Sequence, residues 1–266
     1  MTLKWKAYPA GQNGFFRAPV LVWGKTSAIL IDGGFTLSDG RAIAEDIKSK
    51  GVSLEIIYVS QSDPDYYFSL EAITAAFPSA KVLAAPDTIA AIKASVEKKL
   101  ATWGPQLGEN GPKNVVIPEP FTGKSFMLEG ESVDIVTLPK IKKKQYVWVP
   151  SLGAMFGGVL AFNGLHVWTA DTPIEEKMLA WISTLEKIKA SKPKIVVAGH
   201  MQVGADTSGG ALDYTMTYLK TFIKEMNAAK DSSALVTAMK AHYPKSEMDV
   251  ALNIGAKVVK GEMKWG

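Results

Sequence analysis

Short apolar runs that end in turn-forming or acidic residues alternate with amphipathic helical stretches along this chain, and the alternation confines it to the mixed α/β class. Residues 20–23 and 28–31 read as two strands turning at Gly24-Lys25, the second ending in Asp32-Gly33-Gly34. Residues 41–50 read as a helix closed by Gly51, and 56–60 as a buried strand that runs into a polar loop and a helix ending near Phe77. After a strand at 81–84, Asp87 is expected to cap a helix to about Leu100, with Ile89, Ile92, Val96 and Leu100 on one face. Residues 101–120, rich in Gly, Pro and Asn, read as a long surface loop.

The second half repeats the pattern. Strands are expected at 125–128, 132–138, 146–149, 154–156, 166–169 and 195–198, and helices at 175–190, 212–228, 233–242 and 247–259. Asp171 reads as the cap of the helix at Glu175, while Gly33-Gly34 and Gly209-Gly210 read as simple turns. Strands and helices interleave throughout, so dividing the chain would leave unpaired sheet edges. Residues 1–266 are therefore expected to form one domain.

The absence of cysteine excludes thiol nucleophiles, disulfides and thiolate metal sites. Three histidines, His166, His200 and His242, leave any metal centre dependent on carboxylates. The net charge is +4, yet only Arg17 and Arg41 of the 30 basic side chains are arginines, which argues against nucleic-acid recognition. No apolar run approaches the roughly 20 residues of a membrane-spanning helix, and the N-terminus lacks the apolar core of a signal peptide. A cytoplasmic location is expected, or a periplasmic one if a leader has been replaced by Met1. The expected partner is a small-molecule substrate or ligand, with neither nucleic acid nor membrane; the oligomeric state is left open.

The densest polar cluster after a buried strand is the loop Ser60-Gln61-Ser62-Asp63-Pro64-Asp65-Tyr66-Tyr67. Gln61, Asp63 and Asp65 alternate, so the two carboxylates offer hard metal ligands or an acid/base pair. The same residues also read as a helix start, with Asp63 as N-cap, Pro64 in the first helical position and Asp65 in the first turn. Both readings stand at this point. His166 reads as a structural histidine entering a strand, and His242 as a surface or packing residue on a helix.

This loop and its setting resemble the metallo-β-lactamase superfamily, whose hallmark is His-x-His-x-Asp-His after a buried strand. Gln61, Asp63, Asp65 and Tyr66 fall on the four motif positions, with only the Asp unchanged. Upstream, Ile29-Leu30-Ile31-Asp32-Gly33-Gly34 is similar to the family's early strand ending in Asp-Gly. Downstream, Val196-Val197-Ala198-Gly199-His200 is similar to its late strand ending in Gly-His. The family's Pro-Gly-His motif would fall at Leu138-Pro139-Lys140-Ile141, which has no histidine, and its bridging Asp is replaced at Phe156-Gly157-Gly158.

The resemblance implies a four-layer αββα sandwich. It implies a hydrolase of a small ester, lactone, amide or phosphoester, with Asp63, Asp65 and His200 holding at most one divalent Zn, Mn or Fe. In that reading Asp65 acts as base, Tyr66 or Tyr67 donates to the developing oxyanion and Gln61 orients. The alternative is a metal-free ligand-binding or regulatory protein of the same fold.

Overall fold

The computed structural model describes residues 2–138, 141 and 144–265. In chain order the strands are β1 (Lys4–Ala7), β2 (Val20–Trp23), β3 (Ser27–Ile31), β4 (Ser53–Val59), β5 (Lys81–Ala84), β6 (Glu119–Pro120), β7 (Ser125–Leu128), β8 (Glu131–Leu138), β9 (Lys144–Val149), β10 (Ala154–Phe156), β11 (Phe162–Asn163), β12 (Ile195–Val196) and β13 (His200–Met201). The helices are α1 (Leu37–Ser49), α2 (Leu70–Ala76), α3 (Pro86–Leu107), α4 (Glu175–Ala190), α5 (Gly210–Ala228), α6 (Ser232–His242) and α7 (Asp249–Val259).

One sheet runs β1-β2-β3-β4-β5-β6, antiparallel through β3 and parallel beyond it; a second runs β12-β10-β9-β8-β7. β3 is apolar on both faces, as a strand covered on both sides must be, and its residues 28–31 are fully enclosed. The inner faces of the two sheets meet through Trp5 against Phe156 and Tyr58 against Phe126, with ring centres 5.6 Å apart in both pairs. The buried Tyr58 hydroxyl donates to Gln145 Oε1 across the same interface at 2.7 Å. This is the expected αββα sandwich.

Parallel pairing of β3 with β4 sets Ile31 beside Tyr58, so both strands deliver their following loops to one edge of the sandwich. There, Gly33 N donates to Tyr66 O, Gly34 N to Ser69 Oγ and Ser69 N to Gly34 O. α1 starts on a reciprocal cap between Thr36 and Asp39, four residues earlier than its apolar periodicity suggests.

Several sequence expectations are corrected. α3 begins at Pro86 with Ala85 as N-cap, leaving Asp87 in its first turn. It then continues through Gly104 and Pro105 to Leu107, into the expected loop, because Trp103 and Leu107 extend the apolar face of Val96 and Leu100 against the core. Residues 166–169 form no strand: their apolar character reflects burial, and His166 N pairs only with Glu247 O at 2.8 Å. Asp171 lies too early to cap α4, whose N-cap is Ile174, and accepts a bond from Trp265 Nε1 at 2.8 Å instead. Gly209-Gly210 is more than a turn: Gly209, at φ 110°, is the N-cap of α5, which Gly210 opens. No helix among the described residues is long and apolar enough to cross a membrane.

Candidate functional site

At the shared edge, Asp32 leaves β3 in a left-handed conformation, φ 62°, which turns its carboxylate inward. Oδ1 accepts from Ser60 N at 2.6 Å and Oδ2 from Ser60 Oγ at 2.9 Å. Oδ2 also pairs with Arg17, whose other terminal nitrogen donates to the Gly199 carbonyl. Both charged side chains are completely buried. The guanidinium carbon lies 3.8 Å from the Tyr66 ring centre, and the Tyr66 hydroxyl donates to the Gly158 carbonyl at 3.0 Å. Arginine, tyrosine and two strand-end glycines thus fill the space beneath the loop.

Asp65 belongs to the short 3-10 turn Pro64–Tyr66, and His200 opens β13. These two are brought together: Asp65 Oδ2 lies 3.4 Å from His200 Nε2, and both residues are buried. Nδ1 of His200 is 2.8 Å from the Phe15 carbonyl, which can only accept, so Nδ1 carries the proton and Nε2 presents a lone pair to Asp65. Phe162 stacks on the imidazole at 5.3 Å, fixing the ring plane. Burial, reinforced by Asp63 and opposed by Arg17, pushes the Asp65 carboxyl up to about 7. Burial and the Arg17 charge press His200 down to about 3, outweighing the Phe15 bond. Near neutrality the carboxyl is therefore about half ionised while the imidazole stays neutral.

The remaining predicted residues divide. Asp63 takes the N-cap position of the 3-10 turn without a side-chain capping bond. Its side chain is 44% exposed and lies 3.9 Å from Lys99 Nζ, so it does not complete a cluster with Asp65 and His200. The Gln61 amide nitrogen and the Tyr67 hydroxyl are enclosed without a hydrogen-bond partner, as is Asp65 Oδ2. Tyr67 is completely buried and burial raises its phenol pKa, so it remains a donor. His166 has the expected structural role, with Nδ1 3.0 Å from the Tyr218 hydroxyl. His242 pairs with Glu225 on the surface.

The described residues do not fit a divalent metal. Among the described residues no three His, Asp or Glu side chains converge as a metal cluster requires. Pro139 and Lys140, where the family's Pro-Gly-His would fall, lie outside the described residues and carry neither imidazole nor carboxylate. Arg17, buried beneath the loop and acting on both His200 and Asp65, already places a positive charge there.

Arg17 was missed as a site residue, although an arginine inside Phe15-Phe16-Arg17-Ala18-Pro19-Val20-Leu21-Val22 is itself a sign of a buried, paired charge. Lys144 closes the run Lys140-Ile141-Lys142-Lys143-Lys144, whose composition gives no sign that one of its lysines is buried. Its side chain is buried with the amine 4.4 Å from the Trp181 ring centre, and burial lowers its pKa despite Asp171 and Asp63.

Comparison with solved structures agrees with this architecture. The chain is similar to a metallo-β-lactamase from Pontibacter korlensis at 17% identity and TM-score 0.53, over 77% of this chain and 87% of that one. It is similar to the B3 metallo-β-lactamase BLEG-1 at 15% identity and TM-score 0.55, over 81% of this chain and 99% of that one. VMB-1 matches at 18% identity and TM-score 0.51, over 80% of this chain and 86% of that one. No protein-family model and no curated protein matches the chain. The fold is that of the metallo-β-lactamases.

Proposed function

We propose that this metallo-β-lactamase fold hydrolyses a small carboxylic ester or lactone by proton transfer at the Asp65–His200 pair, without a metal. The observation that carries the reading is the 3.4 Å approach of Asp65 Oδ2 to His200 Nε2, with Nδ1 anchored on the Phe15 carbonyl. Ionised Asp65 accepts a proton from water as the water oxygen bonds to the substrate carbonyl carbon. Tyr67 and Gln61, whose donors lack partners, stabilise the developing oxyanion. As the carbon–oxygen bond to the leaving group breaks, Asp65 returns the proton to the departing oxygen. Between the two steps the proton stays on Asp65, and neutral His200 faces it with the Nε2 lone pair.

The test is turnover of a panel of aryl esters and lactones by tag-free protein, with and without a chelator. The expected result is chelator-insensitive hydrolysis that falls by about 10²–10⁴-fold in Asp65→Asn. Activity abolished by chelator and restored by Zn²⁺ or Mn²⁺ would overturn the metal-free reading. A second reading, a binding protein without turnover, is favoured by Arg17, Tyr66 and Gly158 filling the space beneath the loop. Saturable ligand binding with no turnover anywhere in the panel would select it.

A further inference from the structure

We propose that the groove between the 8–19 loop and the last turns of α3 is a binding site for an uncharged aryl group. Phe15, Phe35 and Trp103 meet there in edge-to-face contacts, with centres 4.9 Å apart for Phe15–Phe35, 5.0 Å for Phe15–Trp103 and 5.9 Å for Phe35–Trp103. They line an open groove of about 600 Å³, within the range of small-molecule pockets.

The groove's polar lining selects the ligand. It consists of neutral side chains, Gln12, Gln106 and Asn110 among them, and no charged residue lines it among the described residues. An anionic ligand would lose its hydration there without a compensating cation among the described lining residues. A neutral ring gains the aromatic faces, and its polar substituents meet the amides. Although the whole chain carries net charge +4, the described residues that line the groove offer an anion no lysine or arginine.

The backbone supports the assignment. Phe15 and Phe16 both adopt φ 55°, a left-handed conformation that strains a bulky residue and persists where the surroundings enforce it. This double turn places the Phe15 ring in the groove while its carbonyl holds His200 Nδ1. An aryl group in the groove therefore lies against the same residue that orients the Asp65–His200 pair. That this group belongs to the substrate rests on the hydrolytic reading; the groove's preference for neutral rings does not.

N-phenyl-1-naphthylamine, a neutral fluorophore, and its anionic counterpart 1-anilinonaphthalene-8-sulfonate separate the possibilities. Wild type should bind the neutral probe saturably at one site, with energy transfer from tryptophan, at least tenfold tighter than the sulfonate. Trp103→Ala should weaken binding at least tenfold. Gln106→Glu, an exposed change that leaves the core intact, should weaken binding and lower the affinity for the sulfonate further. Asp65→Asn should keep neutral-probe affinity within twofold. Absent saturable binding, a sulfonate affinity equal to the neutral probe's, or unaltered binding in both groove variants would overturn the proposal. Wild type that binds the neutral probe but turns over no ester or lactone would instead count against the hydrolytic reading alone.

Discussion

Arg17 and Asp32 form an ion pair that is wholly inaccessible to solvent, at the point where the loops after β3 and β4 meet β13. Two charges leave water together, and each is retained through further bonds: Asp32 from Ser60, Arg17 to the Gly199 carbonyl. Removing one partner leaves the other charge buried alone, which costs about 3–5 kcal/mol. Arg17→Met should therefore lower stability by that amount in urea or thermal denaturation. Arg17→Met combined with Asp32→Asn should recover part of the loss, because the residual cost is then an unfilled hydrogen bond rather than an isolated charge. Equal destabilisation of the double and single variants would refute the pairing as the source.

The Asp65–His200 pair makes opposite predictions for its two members. Asp65 titrates at about 7 in the folded chain against about 3.9 unfolded, so the folded state binds more protons between those values. Its contribution to stability falls as pH rises from about 4 to 7. His200 titrates at about 3 folded against about 6.5 unfolded, so its contribution falls as pH drops from about 6.5 to 3. In wild type the two slopes nearly cancel. Asp65→Asn should expose the histidine slope, with stability declining on acidification below about 6.5. His200→Gln should expose the carboxyl slope, with stability rising as pH falls from 7 to 4. Denaturant melts at several pH values check both signs.

Asp63 and Asp65 should separate in activity. If both held one metal, either substitution would be severe; the geometry instead joins only Asp65 to His200, with Asp63 facing Lys99. Asp63→Asn is expected to reduce kcat/KM by less than about tenfold while Asp65→Asn reduces it by 10²–10⁴-fold. Added Zn²⁺ should leave the melting temperature of wild type unchanged, since a ligand must bind the native state to raise it.

Much of the fold was legible because its strands are local patterns: residues 28–31 are apolar on both faces, and 125–128 alternate. Caps were harder. Thr36 with Asp39 extends α1 before its apolar stripe starts, and the apolar face of α3 outlasts the breakers Gly104 and Pro105. The Asp63–Tyr67 loop was found because its polar residues are contiguous. Arg17 was not, because its partners Asp32, Tyr66 and Gly199 are distant in sequence, and only the packing of two sheets brings them together. The same distance explains why three expected ligands reduced to a pair: alternation along the loop did not reveal which way Asp63 turns.

Gly199 tests how tightly the site is closed. A Cβ added there would stand 2.1 Å from the Gly158 carbonyl oxygen, a backbone atom that also accepts the Tyr66 hydroxyl. Neither strand end can yield easily, since Gly158 N is bonded to Ser60 Oγ and Gly199 N to the Ala161 carbonyl. Gly199→Ala should therefore destabilise the chain by about 1–3 kcal/mol, the range for overpacking a filled interior. Because His200 is the next residue, the same displacement should move its ring from the Phe15 carbonyl and alter the pH dependence of turnover. Gly104→Ala, where a Cβ meets no atom within 4 Å and the backbone is not left-handed, serves as the uncrowded control. If the two variants lost equal stability and shared the wild-type pH profile, crowding at Gly199 would not be what holds His200 in place.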